Sequence, residues 1–353
     1  MPSVEDPLMR PDTVENFSMP GKISSRIKTV NKEDDRVLGL LLKEEGHLSG
    51  EAFAERLGVS RAAVWKRIKS LREAGFDIEA KSRKGYRLRG CPDRLWPARI
   101  RNALYSEVMG KEIVYRPVID STNLLAKELA IKGAEEGTLI LAENQTQGRG
   151  RMGRSWVSSE SKDLLLSLIL RPELQPVEVF RLMILSSWAT ARAIASLLPL
   201  EPQIKWPNDI FINGRKAGGI LIEFAAEQDQ VAFVVIGIGL NVNFDPGAYP
   251  ELAEIATSLS NETGQEMDRL ALLVALLQEL DRGYRLLKEQ QFPSIRKEWQ
   301  SLLMILGKQV RIISGEEVAE GLAEGVDENG ALILRDFQGH RKKIYTGDVS
   351  LRF

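Results

Sequence analysis

Gln145-Thr-Gln-Gly-Arg-Gly-Arg-Met-Gly-Arg-Ser-Trp156 is the most informative run of this chain. It follows one strand-like stretch, Thr138 to Ala142, and precedes another, the apolar Leu164 to Leu170. Gly148, Gly150 and Gly153 let the backbone come close to a ligand and take positive φ. Arg149, Arg151 and Arg154 add planar donors that match phosphate or carboxylate. Such a loop is costly to order when empty and natural to order around an anion. Gly-Arg repeats also occur in disordered RNA-binding tails, but here a single copy sits between two strands.

A second run, Lys205-Trp-Pro-Asn-Asp-Ile-Phe-Ile-Asn-Gly-Arg-Lys-Ala-Gly-Gly-Ile-Leu-Ile-Glu223, reads as a hairpin. Asn213-Gly214 between Ile210-Phe-Ile212 and Ile220-Leu-Ile222 is a strong two-residue turn signal. It puts Lys216 near the start of the return strand, ahead of Gly218-Gly219, where a ligand could meet bare backbone. Taken in isolation, Lys216 would be an ordinary surface lysine. Gly237-Ile-Gly-Leu-Asn241 ends a buried strand, Val231 to Ile238, with two glycines that close packing or a bulge would also explain. Around these runs the pattern predicts a strand over Glu112 to Val118, a helix from Asn123 to Lys132, a long helix over Val177 to Leu198, and another over Asp268 to Lys288. The whole is a mixed α/β domain.

Ahead of it the pattern is helical from Asp34, with Val37, Leu40 and Leu41 on one stripe and Gly46 as its end. Ser49 is positioned to cap a second helix that closes at Gly58, and Ser60 a third, Arg61 to Glu73. Two short helices joined through a glycine turn make a helix-turn-helix. On the third helix Val64, Ile68 and Leu71 fall inward, while Ala62, Trp65, Lys66 and Lys69 fall outward, free to enter a major groove. Strands at Phe76 to Lys81 and Tyr86 to Leu88, joined through Arg83-Lys84-Gly85, form a wing. From Ser60 to Gly90, ten basic residues face three acidic ones, an excess of seven and enough for a phosphate-tracking face. Arg61, Ala62, Trp65, Lys66, Lys69, Arg83 and Lys84 are the candidate DNA contacts. The same module could serve only for dimerisation, and Trp65 could stack on the wing rather than on DNA.

Composition sets the outer limits. The chain has 353 residues, 43% apolar and 27% charged, enough for two or three soluble domains. Its net charge of −1 means that any nucleic-acid affinity is local. A lone Cys91 excludes an internal disulfide and fits the reducing cytoplasm. His47 and His340 are far apart and no cluster has metal-ligand spacing, which argues against structural zinc and against a Ser-His-Asp triad. No apolar run approaches the roughly 20 residues that span a bilayer, and no secretory h-region is found. The domains expected are a disordered tail at 1–33, a winged helix at 34–92, a large domain at 97–304 reached through the linker Arg89 to Pro97, and a turn-rich C-terminal module at 305–353, with Asn329-Gly330 at a hairpin.

Together these motifs resemble the biotin–protein ligases, specifically the bifunctional bacterial type that doubles as biotin operon repressor. The resemblance runs from about Asp34 onward and rests on Ser60-Arg-Ala-Ala, Asp120-Ser-Thr-Asn123, Gly148-Arg-Gly-Arg-Met-Gly-Arg154, Lys205-Trp-Pro-Asn-Asp209, Arg215-Lys-Ala-Gly218 and Gly237-Ile-Gly-Leu-Asn241. It implies an α+β protein: a winged helix-turn-helix, a central ligase domain like class II aminoacyl-tRNA synthetases, and a C-terminal SH3-like β-barrel. It also implies that ATP activates biotin to biotinyl-5′-AMP, which is then transferred to a lysine of a biotin carboxyl carrier domain. Ser121, Thr122, Asn123, Gln145, Arg149, Gly150, Arg151, Lys216, Gly219, Gly237 and Gly239 would then contact biotin. Arg151, Arg154, Lys205, Asn208, Asp209 and Asn241 would organise ATP, with Asp209 toward Mg²⁺ and Lys216 and Arg151 carrying the chemistry. Met152 stands where some members have another arginine. The implied partners are the carrier domain, operator DNA and a second copy of the chain when biotinyl-AMP is bound. The related lipoate–protein ligases, and a ligand-sensing regulator without ligase activity, are the alternatives.

Overall fold

The computed structural model describes residues 31–314, 317–345 and 347–351, so most of the tail expected at 1–33 lies outside the described residues. The first helix, α1 (Lys32–Lys43), is capped by Asn31, whose side chain accepts from the Glu33 N–H. It begins two residues before Asp34 and ends at Lys43, ahead of the expected stop at Gly46. Ser49 and Ser60 cap α2 (Gly50–Leu57) and α3 (Arg61–Glu73) through the Ala52 and Ala63 N–H groups. Gly58 takes the left-handed conformation, φ +69°, that ends α2. Val64, Ile68 and Leu71 are buried against Val37, Leu38, Leu41 and Phe53, as the helical period requires.

The wing is β1 (Asp77–Lys81) antiparallel to β2 (Gly85–Gly90). It is pinned to the α1–α2 loop by reciprocal Leu48–Tyr86 backbone bonds of 2.8 and 2.9 Å. A side chain at Gly85, φ +102°, would collide with the Leu48 carbonyl at 2.1 Å, so this turn requires glycine. The stretch read as a linker is packed tightly. Leu95 and Trp96 are buried, Trp96 meets Phe76 edge-on at 4.9 Å, and α4 (Pro97–Ala103) packs on α1. Asp35 receives the Ala98 N–H at 2.8 Å and pairs with Arg101.

The large domain is built on seven strands, introduced in chain order with their helices. They are β3 (Ile113–Ile119), α5 (Thr122–Ile131), β4 (Leu139–Gln145), the short pair β5 (Gly148–Arg149) and β6 (Ser155–Trp156), then β7 (Leu164–Leu170) and α6 (Phe180–Leu197). Next come β8 (Gln203–Lys205), β9 (Asp209–Ile212), β10 (Arg215–Glu227), β11 (Gln230–Leu240), α7 (Leu259–Thr263), α8 (Arg269–Lys288) and α9 (Phe292–Ser301). The sheet order is β3-β4-β7-β11-β10-β9-β8, with β5 and β6 apart as a small ribbon. Only β3 and β4 run parallel. Strand alternation divides the core. Leu139, Leu141, Leu166, Leu168, Ile236 and Ile238 face α6, α8 and α9, while Ile140, Ile169, Phe233 and Val235 face α5.

A buried ion cluster ties these layers to the front module. Arg269, with no exposed side chain, reaches Glu143 at 2.8 Å and Asp93 at 2.9 Å, and donates to the Asp163 carbonyl at 3.1 Å. Glu143 also accepts from the Leu95 N–H at 2.9 Å and the Tyr115 hydroxyl at 3.0 Å. The C-terminal module is a five-stranded antiparallel sheet in the order β15-β14-β13-β12-β16. Its strands are β12 (Gln309–Ser314), β13 (Glu317–Val326), β14 (Leu332–Arg335), β15 (Arg341–Ile344) and β16 (Asp348–Leu351).

Candidate functional site

The site begins where α5 stops covering the sheet. Along β11, residues 233, 235, 237 and 239 share one face, and they run Phe, Val, Gly, Gly. The sheet therefore loses two side chains beside the N-terminus of α5. Asn123 fills the first gap, since a Cβ on Gly237 would lie 2.1 Å from its Oδ1. The Trp156 indole fills the second, 2.6 Å from a Cβ on Gly239 and 3.3 Å from one on Gly219. The three glycines therefore do not present bare backbone; they seat Asn123 and Trp156.

Around this floor the polar groups form one network. Gln145 Oε1 accepts from the Thr122 N–H at 2.7 Å, and Ser167 Oγ lies 2.6 Å from Asn123 Oδ1. Asn123 Nδ2 donates to Glu223 at 3.0 Å. Ser121, Thr122, Asn123 and Gln145 are all buried, and the bonds above satisfy much of their polarity within the network. The Trp156 indole N–H is buried without a partner and is free to donate to a ligand.

Beyond the indole lies the second half of the site. A β-bulge between Lys216 and Gly218 re-aims Lys216, whose Nζ sits 2.7 Å from Asp209 Oδ1 and 5.7 Å from the Trp156 ring centre. Asn213 and Gly214 both have positive φ, 49° and 78°, as the hairpin turn requires. A pocket opens here, lined by Lys205, Asn208, Asp209, Lys216, Arg154 and Asp348 among others. Arg151 donates to Asn208 Oδ1 at 2.9 Å, and burial draws its guanidinium below the usual arginine value. The loop turns through Met152 and Gly153, φ 55° and 74°, with Met152 exposed. Arg149 is exposed and Gly150 half-buried, with the Gly150 N–H bonded back to the Arg154 carbonyl at 2.7 Å.

Asn241 stands apart from the other expected nucleotide residues. It is buried and donates to the Thr257 carbonyl at 2.9 Å, which fixes the end of β11. Trp156, Ser167, Glu223 and Asp348 were not singled out by sequence reasoning. Ser167 carried a signal, as the lone polar residue in the run Leu164 to Leu170.

The outward set is exposed: Arg61, Ala62, Lys66 and Lys69 on α3, and Arg83 and Lys84 at the wing turn. Trp65 is 58% exposed, with Lys69 Nζ 5.7 Å from its ring. Not all ten cations are free to meet phosphate, because several are engaged internally. Arg72 donates to the Ile78 carbonyl at 2.9 Å, Arg67 pairs with Asp34, and Lys81 and Arg89 pair with Glu79. Among the described residues no group of three or more His, Cys, Asp or Glu could hold a metal ion, and no helix is long and apolar enough to cross a membrane.

Comparison with known proteins gives three matches along the chain: an HTH domain over residues 35–87, the biotin/lipoate A/B protein ligase family over 115–241, and the biotin protein ligase C-terminal domain over 305–352. The bifunctional ligase/repressor BirA of Bacillus subtilis is 42% identical over 305 residues, 86% of this chain and 94% of that protein. The Escherichia coli BirA is 32% identical over 326 residues, 90% of this chain and 96% of its own length. Among solved structures, a biotin protein ligase from Aquifex aeolicus in complex with biotin and ATP superposes with a TM-score of 0.59 at 29% identity, covering 69% of this chain and 99% of that one.

Proposed function

Because this chain belongs to the family of bifunctional biotin ligase/repressors, we infer that its floor and pocket are the two halves of a biotin-activating site. The protein is a biotin–protein ligase that also represses transcription through its helix-turn-helix. The observation that carries the site reading is the position of Lys216, whose ammonium borders both the Trp156 slot and the pocket lined by Lys205 and Arg154.

The reaction joins two anions. A biotin carboxylate oxygen attacks the α-phosphorus of ATP, the bond to the β-phosphate oxygen breaks, and pyrophosphate leaves. Lys216 and Arg151 lower the repulsion before attack and stabilise the charge that develops during it. Ser121, Thr122, Asn123 and Gln145 orient the ring system of biotin, with Arg149, Gly150 and the glycine-seated floor closing the slot. Arg154, Lys205, Asn208 and Asp209 hold the nucleotide. Asn241 contributes by anchoring the strand end rather than by contact. The amine of an acceptor lysine on a carboxyl carrier domain then attacks the carbonyl carbon of the mixed anhydride, and AMP leaves.

Mg²⁺ arriving with ATP would supply neutralisation of the phosphate charge. The oxygens of Asp209 and Asn208 are hard donors that fit such an ion when it arrives on phosphates. A cytoplasmic location fits a reaction that uses ATP and a carrier domain alongside operator DNA. Filling the site would promote a homodimer that presents two α3 helices to a two-fold operator, and no change in sedimenting mass with saturating biotin and ATP would sink that step.

The direct test incubates the chain with ATP, Mg²⁺ and biotin, with and without a carrier domain, and reads products by mass spectrometry. Biotinyl-AMP followed by a carrier heavier by one biotin is expected. A Lys216→Met variant is expected to lose about 100-fold or more in adenylate formation. A variant that keeps full activity would remove Lys216 from the mechanism.

A further inference from the structure

The arginines of the anion-binding loop reach two different domains. On one side Arg151 donates to Asn208 of the large domain at 2.9 Å. On the other, Arg154 Nη2 donates to Asp348 Oδ1 at 2.7 Å, across 194 positions of sequence. Between these anchors the loop has nothing apolar to hold it, since none of residues 151–153 is buried. It turns through Met152 and Gly153, both left-handed, of which only the non-glycine Met152 carries strain, and the Gly150 N–H bond to the Arg154 carbonyl closes the turn. Asp348 is itself well fixed, because it pairs with Ile313 in the β12–β16 ladder. With Val349 it forms one wall of the pocket assigned to the nucleotide.

A carboxylate on the wall of an anion pocket repels its occupant unless a cation stands between them. Arg154 stands there. Asp348 therefore serves retention through Arg154, which it holds, and its charge also supports the nearby Arg151 guanidinium.

We propose that Asp348 is a positioning residue for the ligase reaction: the C-terminal sheet latches the glycine-rich loop over the reactive adenylate through Arg154 and keeps it from water until the acceptor lysine arrives. This rests on the reading of the pocket as the nucleotide site. When the latch opens early, water attacks the carbonyl carbon of the mixed anhydride, AMP leaves, and free biotin is regenerated. One ATP then becomes AMP and pyrophosphate with no biotin transferred.

The test compares the full chain with Asp348→Asn, which removes the charge at nearly constant shape, and Asp348→Glu, which keeps it. In the ligand-free protein, trypsin should cut after the loop arginines about 2–5-fold faster in the Asn variant, the range expected for a part-exposed ion pair. With ATP, biotin and a carrier domain, that variant should form about 2–5-fold more pyrophosphate per biotin transferred, with the KM for ATP within twofold of wild type. The Glu variant should recover most of the coupling. If Asp348→Asn lowers the KM for ATP and leaves the coupling ratio unchanged, Asp348 competes with phosphate for Arg154 and the latch is refuted. Unchanged cleavage and coupling would reduce the pair to an ordinary surface contact, which also refutes it. The site reading fails separately, if ATP and biotin do not protect the wild-type loop from trypsin.

Discussion

Replacing Gly237 with alanine probes the seating of Asn123 at a single atom. The new Cβ would stand 2.1 Å from Asn123 Oδ1 and 2.8 Å from its Cγ, where ordinary contact begins near 3.4 Å. The amide must withdraw, yet it is held by Ser167 at 2.6 Å and by Glu223 at 3.0 Å. Losing both bonds costs about 1–3 kcal/mol in total, and residual crowding adds about 1–3 kcal/mol. Alanine in place of a strand glycine returns about 0.5–1 kcal/mol. The net is a destabilisation of about 3 kcal/mol, which for a chain of this size lowers Tm by roughly 4 °C. If Asn123 contacts biotin as proposed, its displacement should weaken binding about 5–10-fold by titration calorimetry. The decisive control is a double-mutant cycle. On an Asn123→Ala background the obstructing atoms are gone, so Gly237→Ala should cost less than about 1 kcal/mol. An equal cost in both backgrounds, or wild-type biotin affinity in the single variant, would refute the reasoning.

Three other perturbations follow from the same geometry. Arg269→Met leaves the fully buried Glu143 without its cation and should cost about 3–5 kcal/mol by denaturant titration, with Glu143→Gln on that background restoring part of it; a loss under about 1 kcal/mol would contradict a buried pair. Burial pushes the Asp163 carboxyl up to about 7, against N–H bonds from Ser159 and Val242. The unfolded chain therefore releases this proton first, and stability falls as pH rises from about 4 to about 7. The Tm difference between wild type and Asp163→Asn should shift against wild type across that window; a flat difference would show that Asp163 does not titrate there. Lys66→Ala and Lys69→Ala should each weaken operator binding and lower the slope of log affinity against log salt by about 1, and an unchanged slope would take that lysine off the phosphate backbone.

What could be read from the sequence was local. Helix caps at Ser49 and Ser60, the Asn213-Gly214 turn and the inward stripe Val64, Ile68, Leu71 each depend on residues a few positions apart, and all appear in the structure. The Gly-Arg loop was legible for the same reason, since its glycines and arginines alternate within one turn of chain. Its environment was not. Arg154 meets Asp348 across 194 positions and Arg269 meets Glu143 across 126, so in sequence each is one charge among many. The stretch from Arg89 to Pro97 looked like a linker because its prolines and cysteine are local signals, while its packing depends on distant partners for Leu95 and Trp96.

The glycine floor lies between these cases. Phe233, Val235, Gly237 and Gly239 share a face by the period of two alone, so a missing wall could have been inferred from β11. What fills it could not, because Asn123 comes from a helix start more than a hundred residues earlier and Trp156 from a two-residue strand. Three glycine-to-side-chain contacts thus turn an unremarkable strand end into a slot with a polar rim. The same contacts make its shape sensitive to the loop, since Trp156 closes the ribbon that begins at Gly148. Movement of the arginine loop would therefore carry Trp156 with it, which gives the proposed latch on Arg154 a route to the floor.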